Sequence, residues 1–112
     1  MNTSQHIGQI LRVVIDRPVG SRHPRYGFLY PLNYGYLPGM PSDDGEDLDA
    51  YVLGISEPLQ TFTGVCIAVI HRLNDSDDKL VLAPPGREFS DEQIRALTKF
   101  QERWFESVIV RA

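Results

Sequence analysis

Proline and glycine interrupt the chain so often before residue 87 that no long helix fits there, and this limits the fold more than any other feature. Pro18 and Gly20 stop the first apolar segment, Pro58 and Gly64 mark later turns, and Pro84-Pro85-Gly86 ends the last one. Short extended pieces fit between these breaks. Residues 10–15 alternate, with Leu11, Val13 and Ile15 against Arg12, Val14 and Asp16. The stretch 21–41, rich in Gly, Pro and Tyr, reads as wall and loop with extended pieces at 28–30 and 33–37. Further strands are expected at 49–53, 65–71 and 79–83, and period two puts Asp49, Tyr51 and Leu53 on one face. Short strands joined by such turns predict a mainly β domain, a small barrel or sandwich, with an α+β character supplied at the C-terminus.

There, Ser90 followed by Gln93 forms a capping box, and Phe89 with Ile94 can staple it. Ile94, Leu97, Phe100, Trp104 and Val108 recur at three- and four-residue steps, which predicts a helix over 90–108 with one apolar face. At 112 residues and 42% apolar content the chain supports one core, so residues 1–9 read as a polar tail and 10–112 as a single domain. The longest wholly apolar run covers 65–70, far short of a membrane span, and the first nine residues carry no apolar signal block. A soluble, cytoplasmic protein without membrane partners is expected. Cys66, the single cysteine, lies inside that run and reads as a small core residue.

Charge is distributed unevenly. Five of the seven residues from 43 to 49 are acidic (Asp43, Asp44, Glu46, Asp47, Asp49), and Asp75, Asp77 and Asp78 form a second group. The remaining seven acids face eleven Lys and Arg, while the whole chain carries −4, the wrong sign for a general nucleic-acid binder. Carboxylates a few ångströms apart repel by about 1 kcal/mol per pair in water and about 4 at an effective dielectric near 20. Gathering them requires a cation. Oxygen donors without a Cys or His set favour Mg²⁺, Mn²⁺ or Ca²⁺ over zinc, and the spacing after Asp44 does not fit an EF-hand loop. Carboxylate-held divalent ions suit phosphoryl chemistry, with a spare carboxylate to take a proton from water. Arg22, Arg25, Lys79 and Tyr34 are the groups available to hold phosphate oxygens.

Tyr30-Pro-Leu-Asn-Tyr-Gly-Tyr36 followed by Asp44-Gly-Glu-Asp-Leu-Asp49 resembles the YPxNYGY segment and the D-G-D-P-x-D signature of the soluble, family I inorganic pyrophosphatases. Ile15-Asp-Arg-Pro18 and Asp77-Asp-Lys79 resemble two further family elements, and the similarity runs over nearly the whole chain. The resemblance implies an oligonucleotide-binding-type five-stranded barrel, commonly oligomeric, and Mg²⁺-dependent hydrolysis of pyrophosphate, with Mn²⁺ as a substitute. It implies Asp44, Asp49, Asp75 and Asp77 as metal ligands, Glu46 as the carboxylate that activates water, and Tyr34 and Lys79 as phosphate contacts. Asp16 would stand where a family Glu borders the site.

Three features depart from the family. A hairpin of longer members is missing between Arg22 and Gly27, which makes Arg22 and Arg25 candidate replacements for its basic groups. Trp104 and Phe105 stand where the family usually has a phosphate-binding Tyr and Lys. Glu46 is one methylene longer than the expected Asp. These departures motivate two rival readings: a hydrolase of another phosphate ester or anhydride, and a metal- or phosphate-binding barrel without turnover.

Overall fold

A computed structural model describes residues 3–75 and 77–111. Among these residues the chain forms six strands, β1 (Ile10–Arg17), β2 (Asn33–Pro41), β3 (Asp47–Val52), β4 (Thr61–Arg72), β5 (Lys79–Ala83) and β6 (Ser107–Val110), and one α-helix, α1 (Asp91–Glu102). The sheet runs β1-β2-β3-β5-β4 and closes through a β1–β4 pairing, so five strands form the expected OB-like barrel and β6 extends it beside β4. All pairings are antiparallel except β3 with β5.

Two apolar clusters divide the strand faces. Val13, Leu48, Ala50, Val52, Leu80 and Leu82 belong to the barrel interior. Tyr34, Tyr51, Ile70 and Val81 face the other way and meet Ile94 and Phe100 of α1. Alternation along β3 therefore puts Leu48, Ala50 and Val52 inside and leaves Asp49 and Tyr51 on the helix side. In β4 a register irregularity lies between Cys66 and Ala68. Cys66 belongs to the interior, whereas Ala68 and Ile70 belong to the helix-side cluster, as a bulge allows. Gly35 is required where β2 crosses β1, because a Cβ there would come within 1.9 Å of the Val14 carbonyl oxygen.

Several sequence expectations need correction. Residues 28–30 form no full strand; an isolated Arg22–Leu29 bridge and backbone hydrogen bonds from residues 20–23 tie this loop together. Residues 3–9 are packed, not frayed: Thr3–His6 makes a 3-10 turn, Thr3 donates to Asp78 at 2.6 Å, and the Gly8 amide donates to the Cys66 carbonyl. Residues 1 and 2 of the expected tail lie outside the described residues. The helix begins as expected, with Ser90 and Gln93 satisfying both halves of the capping box, but it stops at Glu102 and not at 108. The β-branched run Val108-Ile109-Val110 pairs with β4 instead, the conformation such side chains favour. The buried residues of α1 are Ile94, Thr98 and Glu102, while Leu97 is exposed and Trp104 follows the helix in a solvent-facing turn. No described helix is long and apolar enough to cross a membrane.

Candidate active site

Strand register assembles the site. In the parallel β3–β5 pair Asp49 lies opposite Lys79, and β4 presents Ile70 on the other side of Lys79, two residues before Arg72. Side chains at such positions meet across neighbouring strands. Lys79 Nζ donates to Asp49 Oδ2 and to Asp77 Oδ2, both at 2.7 Å, and only 3% of the residue is exposed. Burial disfavours its ammonium, yet the Tyr34 phenol, Asp49 and Asp77 outweigh that penalty and hold its pKa above the usual lysine range. The Lys79 ammonium also lies 5.8 Å from the Tyr34 ring centre. Burial in turn pushes the Tyr34 phenol well above its ordinary value, so Tyr34 stays protonated near neutral pH.

A second cation lies outside the set expected from the sequence. Arg72 is 5% exposed and forms a two-pronged bond to Glu102 of α1, Nε to Oε1 at 3.0 Å and Nη2 to Oε2 at 2.7 Å. Its third nitrogen, Nη1, faces Asp75 at 3.6 Å and Asp77 at 3.7 Å, and the guanidinium lies 3.7 Å from the centre of the Phe105 ring. Tyr51 donates to Glu102 at 2.6 Å and accepts from Gln101, which accepts from Tyr30. Helix α1 is thus locked to the barrel by a buried polar chain that ends at the acidic group of the site. None of the buried side-chain polar atoms among the described residues lacks a partner.

Of these groups Tyr34, Asp49, Arg72, Lys79 and Phe105 open onto a cavity of about 690 Å³, whereas Asp75, Asp77 and Glu102 hold the cations from outside its lining. Asp16, Arg17, Asp49, Arg72, Lys79 and Arg103 supply its charged wall, with cations outnumbering acids four to two. Asp16 has a raised carboxyl pKa because it is partly buried, with the Asp49 charge adding to the effect and Arg17 opposing it.

The other expected site residues are placed elsewhere. Asp44 and Glu46 occupy the exposed turn between β2 and β3 and do not line the cavity. Ser42 donates a short hydrogen bond to the Asp44 carboxylate, which also accepts from the Glu46 amide at 2.9 Å; together these lower the Asp44 pKa. Gly45 takes the left-handed φ of 86° that closes this turn. Arg22 and Arg25 do not reach the cavity either. Arg22 donates to the Gly27 carbonyl within its own loop, and Arg25 lies over Tyr26. Arg17, at the end of β1, and Arg103, in the turn after α1, are the further cations that line it.

The four carboxylates expected as metal ligands are Asp44, Asp49, Asp75 and Asp77. Among the described residues no group of three His, Cys, Asp or Glu is placed to hold an ion. Two carboxylates do converge, Asp49 and Asp77, and the lysine ammonium between them supplies the neutralising charge. This donor set fits Mg²⁺ of the kind held by one or two carboxylates together with substrate phosphates, rather than a protein cage assembled in advance.

The residues that sequence reasoning missed, Arg72 and Glu102, fall in phase with buried neighbours only once the β4 irregularity and the end of α1 are known. Each is a charged residue in phase with buried neighbours, Arg72 with Ala68 and Ile70, and Glu102 with Ile94 and Thr98.

The chain is similar in structure to the inorganic pyrophosphatase from Ehrlichia chaffeensis, with a TM-score of 0.74 at 15% identity, over 99% of this chain and 91% of that one. It is also similar to the enzymes from Coxiella burnetii (TM-score 0.64, 19% identity, 99% and 89% covered) and Helicobacter pylori (TM-score 0.63, 20% identity, 95% and 85% covered). At these identities the likeness speaks for the fold. A comparison with curated proteins finds no significant match. The inorganic pyrophosphatase family, however, matches residues 12–109, and the chain belongs to that family.

Proposed function

We propose that this chain hydrolyses inorganic pyrophosphate to two phosphates, with Mg²⁺ bound alongside the substrate. The observation that carries the reading is the buried ammonium of Lys79, held by Asp49 and Asp77, with Lys79 and Asp49 at the wall of a cavity with an excess of cations and Asp77 bonded to Lys79 from behind that wall. Fixed cations aimed at phosphate oxygens stabilise the charge that develops on a leaving phosphate without reorganising during the step. Lys79 and Arg72 are fixed in this sense, one by two carboxylates and the other by Glu102, Asp77 and Phe105. Tyr34 keeps its proton and remains a donor at the same wall. Asp49 and Asp77 are the residues that would hold the magnesium ion, which supplies further neutralisation of phosphate charge and acidifies bound water.

The role of Glu46 in activating water requires its exposed turn to approach the cavity; Asp16 and Asp49 already face it. The decisive assay measures phosphate release from pyrophosphate with and without Mg²⁺. Release that depends on the ion supports the proposal. Absence of release with either preparation, while pyrophosphate still binds, favours a phosphate-binding barrel, a reading consistent with the place of Glu46 outside the cavity lining.

A further inference from the structure

The cavity has a second wall for which pyrophosphate has no use. Beyond the charged groups it is lined by Tyr26, Phe28, Trp104 and Phe105, with His23 at the edge. Two of these rings are largely in solvent, Tyr26 at 69% and Trp104 at 55% exposure. They are held by one another: His23 stacks on Tyr26 at 4.9 Å between centres, Phe28 lies 5.5 Å from Trp104, and Arg103 stands over Trp104 at 4.6 Å. The short loop between Arg22 and Leu29 and the turn after α1 meet at this rim, where Phe28 lies against Trp104.

Aromatic surface left exposed beside a cationic pocket marks a binding site for a ligand with both characters. Pyrophosphate is small and wholly polar. A cavity near 690 Å³ falls in the range, roughly 300–1,000 Å³, that accommodates ligands of several rings. Planar bases stack on aromatic side chains irrespective of base identity, because every base has a π-face.

We propose that the site accepts a nucleoside 5′-diphosphate, with the two phosphates against Lys79, Arg72 and Arg17 and the base on the rim formed by Trp104 and Tyr26. This rests on the pyrophosphate reading, since the α- and β-phosphates meet the same Lys79 and Arg72 cations named there for pyrophosphate. In the reaction, water oxygen bonds to the β-phosphorus, and the bond from that phosphorus to the bridging oxygen breaks. The electron pair leaves on the nucleoside monophosphate, and the proton lost by water ends on the phosphate products.

Trp104 is the sole tryptophan of the chain, so its fluorescence reports the rim directly. The test titrates the protein, in Mg²⁺, with α,β-methylene-ADP and with methylenediphosphonate, the non-hydrolysable counterparts of the nucleotide and of pyrophosphate. Affinities are taken by calorimetry. The expected result is quenching of Trp104 by the nucleotide analogue and binding at least tenfold tighter than the diphosphonate. Trp104→Ala should weaken the nucleotide analogue at least tenfold more than it weakens the diphosphonate. Equal affinities, or a nucleotide analogue that leaves the fluorescence unchanged, overturn the inference while diphosphonate binding upholds the pyrophosphate reading. Failure of both compounds to bind overturns both. A Trp104-dependent dimer seen by sedimentation, together with no nucleotide binding, assigns the rim to a second copy of the chain and also overturns the inference.

Discussion

In the turn between β2 and β3, Asp44 is open to solvent and has its carboxylate satisfied by Ser42 and the Glu46 amide, groups two residues away on either side. Around β5, Asp77 and Lys79 at the strand's start, Arg72 of β4 and Glu102 of α1 are drawn from three elements, and Arg72 bonds across the fold to Glu102 and Asp77. Both regions concentrate charge. In the first, solvent and local hydrogen bonds satisfy most of the need of the Asp44 carboxylate. In the second, desolvation is severe and each charge must find an opposite one. The second region is therefore rigid and tied to stability, whereas the turn is free to vary. Under the proposed function, reactive geometry belongs with the second region, because charge held in place in advance is what stabilises a transition state.

The largest effect should come from dividing the buried pair. Leaving Arg72 without its acid in Glu102→Leu should cost about 3–5 kcal/mol of stability, since removal of one partner strands a buried charge. Urea unfolding measures this directly. Adding Arg72→Met to the same protein should restore most of the loss, because an apolar replacement of both partners is often close to neutral. A loss under about 1 kcal/mol in the single variant would put this pair in the same class as an exposed one.

Next in size is the activity of the rigid region. Asp49→Asn should reduce phosphate release from pyrophosphate at least about a hundredfold, the scale seen on removing a fixed electrostatic group from a reaction centre. The fold should survive, because Lys79 retains Asp77. Full activity in this variant would remove Asp49 from the reaction. The matching change in the exposed turn, Glu46→Gln, should lower release less than about tenfold, below the roughly 10²–10⁴ that general acid–base groups contribute in rate. A loss beyond about a hundredfold here would show that the turn closes on the substrate and carries the base.

The barrel is legible in the sequence because its turns are spelled out by proline and glycine and its strands by alternation. Period two alone puts Asp49 and Tyr51 on one face, and they share the helix side of β3. Arg72 is hidden by the irregularity at Cys66/Ala68, which breaks the period-two count along β4 and moves Ile70 to the helix side. Glu102 is hidden by the aromatic residues around it: Phe100 and Trp104 suggest a continued apolar stripe, while the chain leaves the helix at that point and buries the acid. The two acidic segments look equivalent by composition, which records charge and says nothing of burial. Lys79, two residues beyond Asp77, is the one cue that separates them.

The smallest predicted effect concerns Asp16, which stands between the two regimes, at the cavity but only partly buried. Partial burial and the Asp49 charge raise its carboxyl pKa above the ordinary 3.8, against the pull of Arg17. The folded chain therefore holds this proton more tightly than the unfolded chain does. Above the folded pKa the ionised group costs stability, and the cost disappears as pH falls through that value toward 3.8. Asp16→Asn, which cannot ionise, should melt slightly higher than the parent at about pH 7, with the gap closing by about pH 4. Melting temperatures of the two proteins across that range give the answer. A gap that widens on acidification would mean that the Asp16–Arg17 contact, at 3.9 Å, outweighs desolvation. In that case Asp16 would behave like the carboxylates of the exposed turn and not like those beside Lys79.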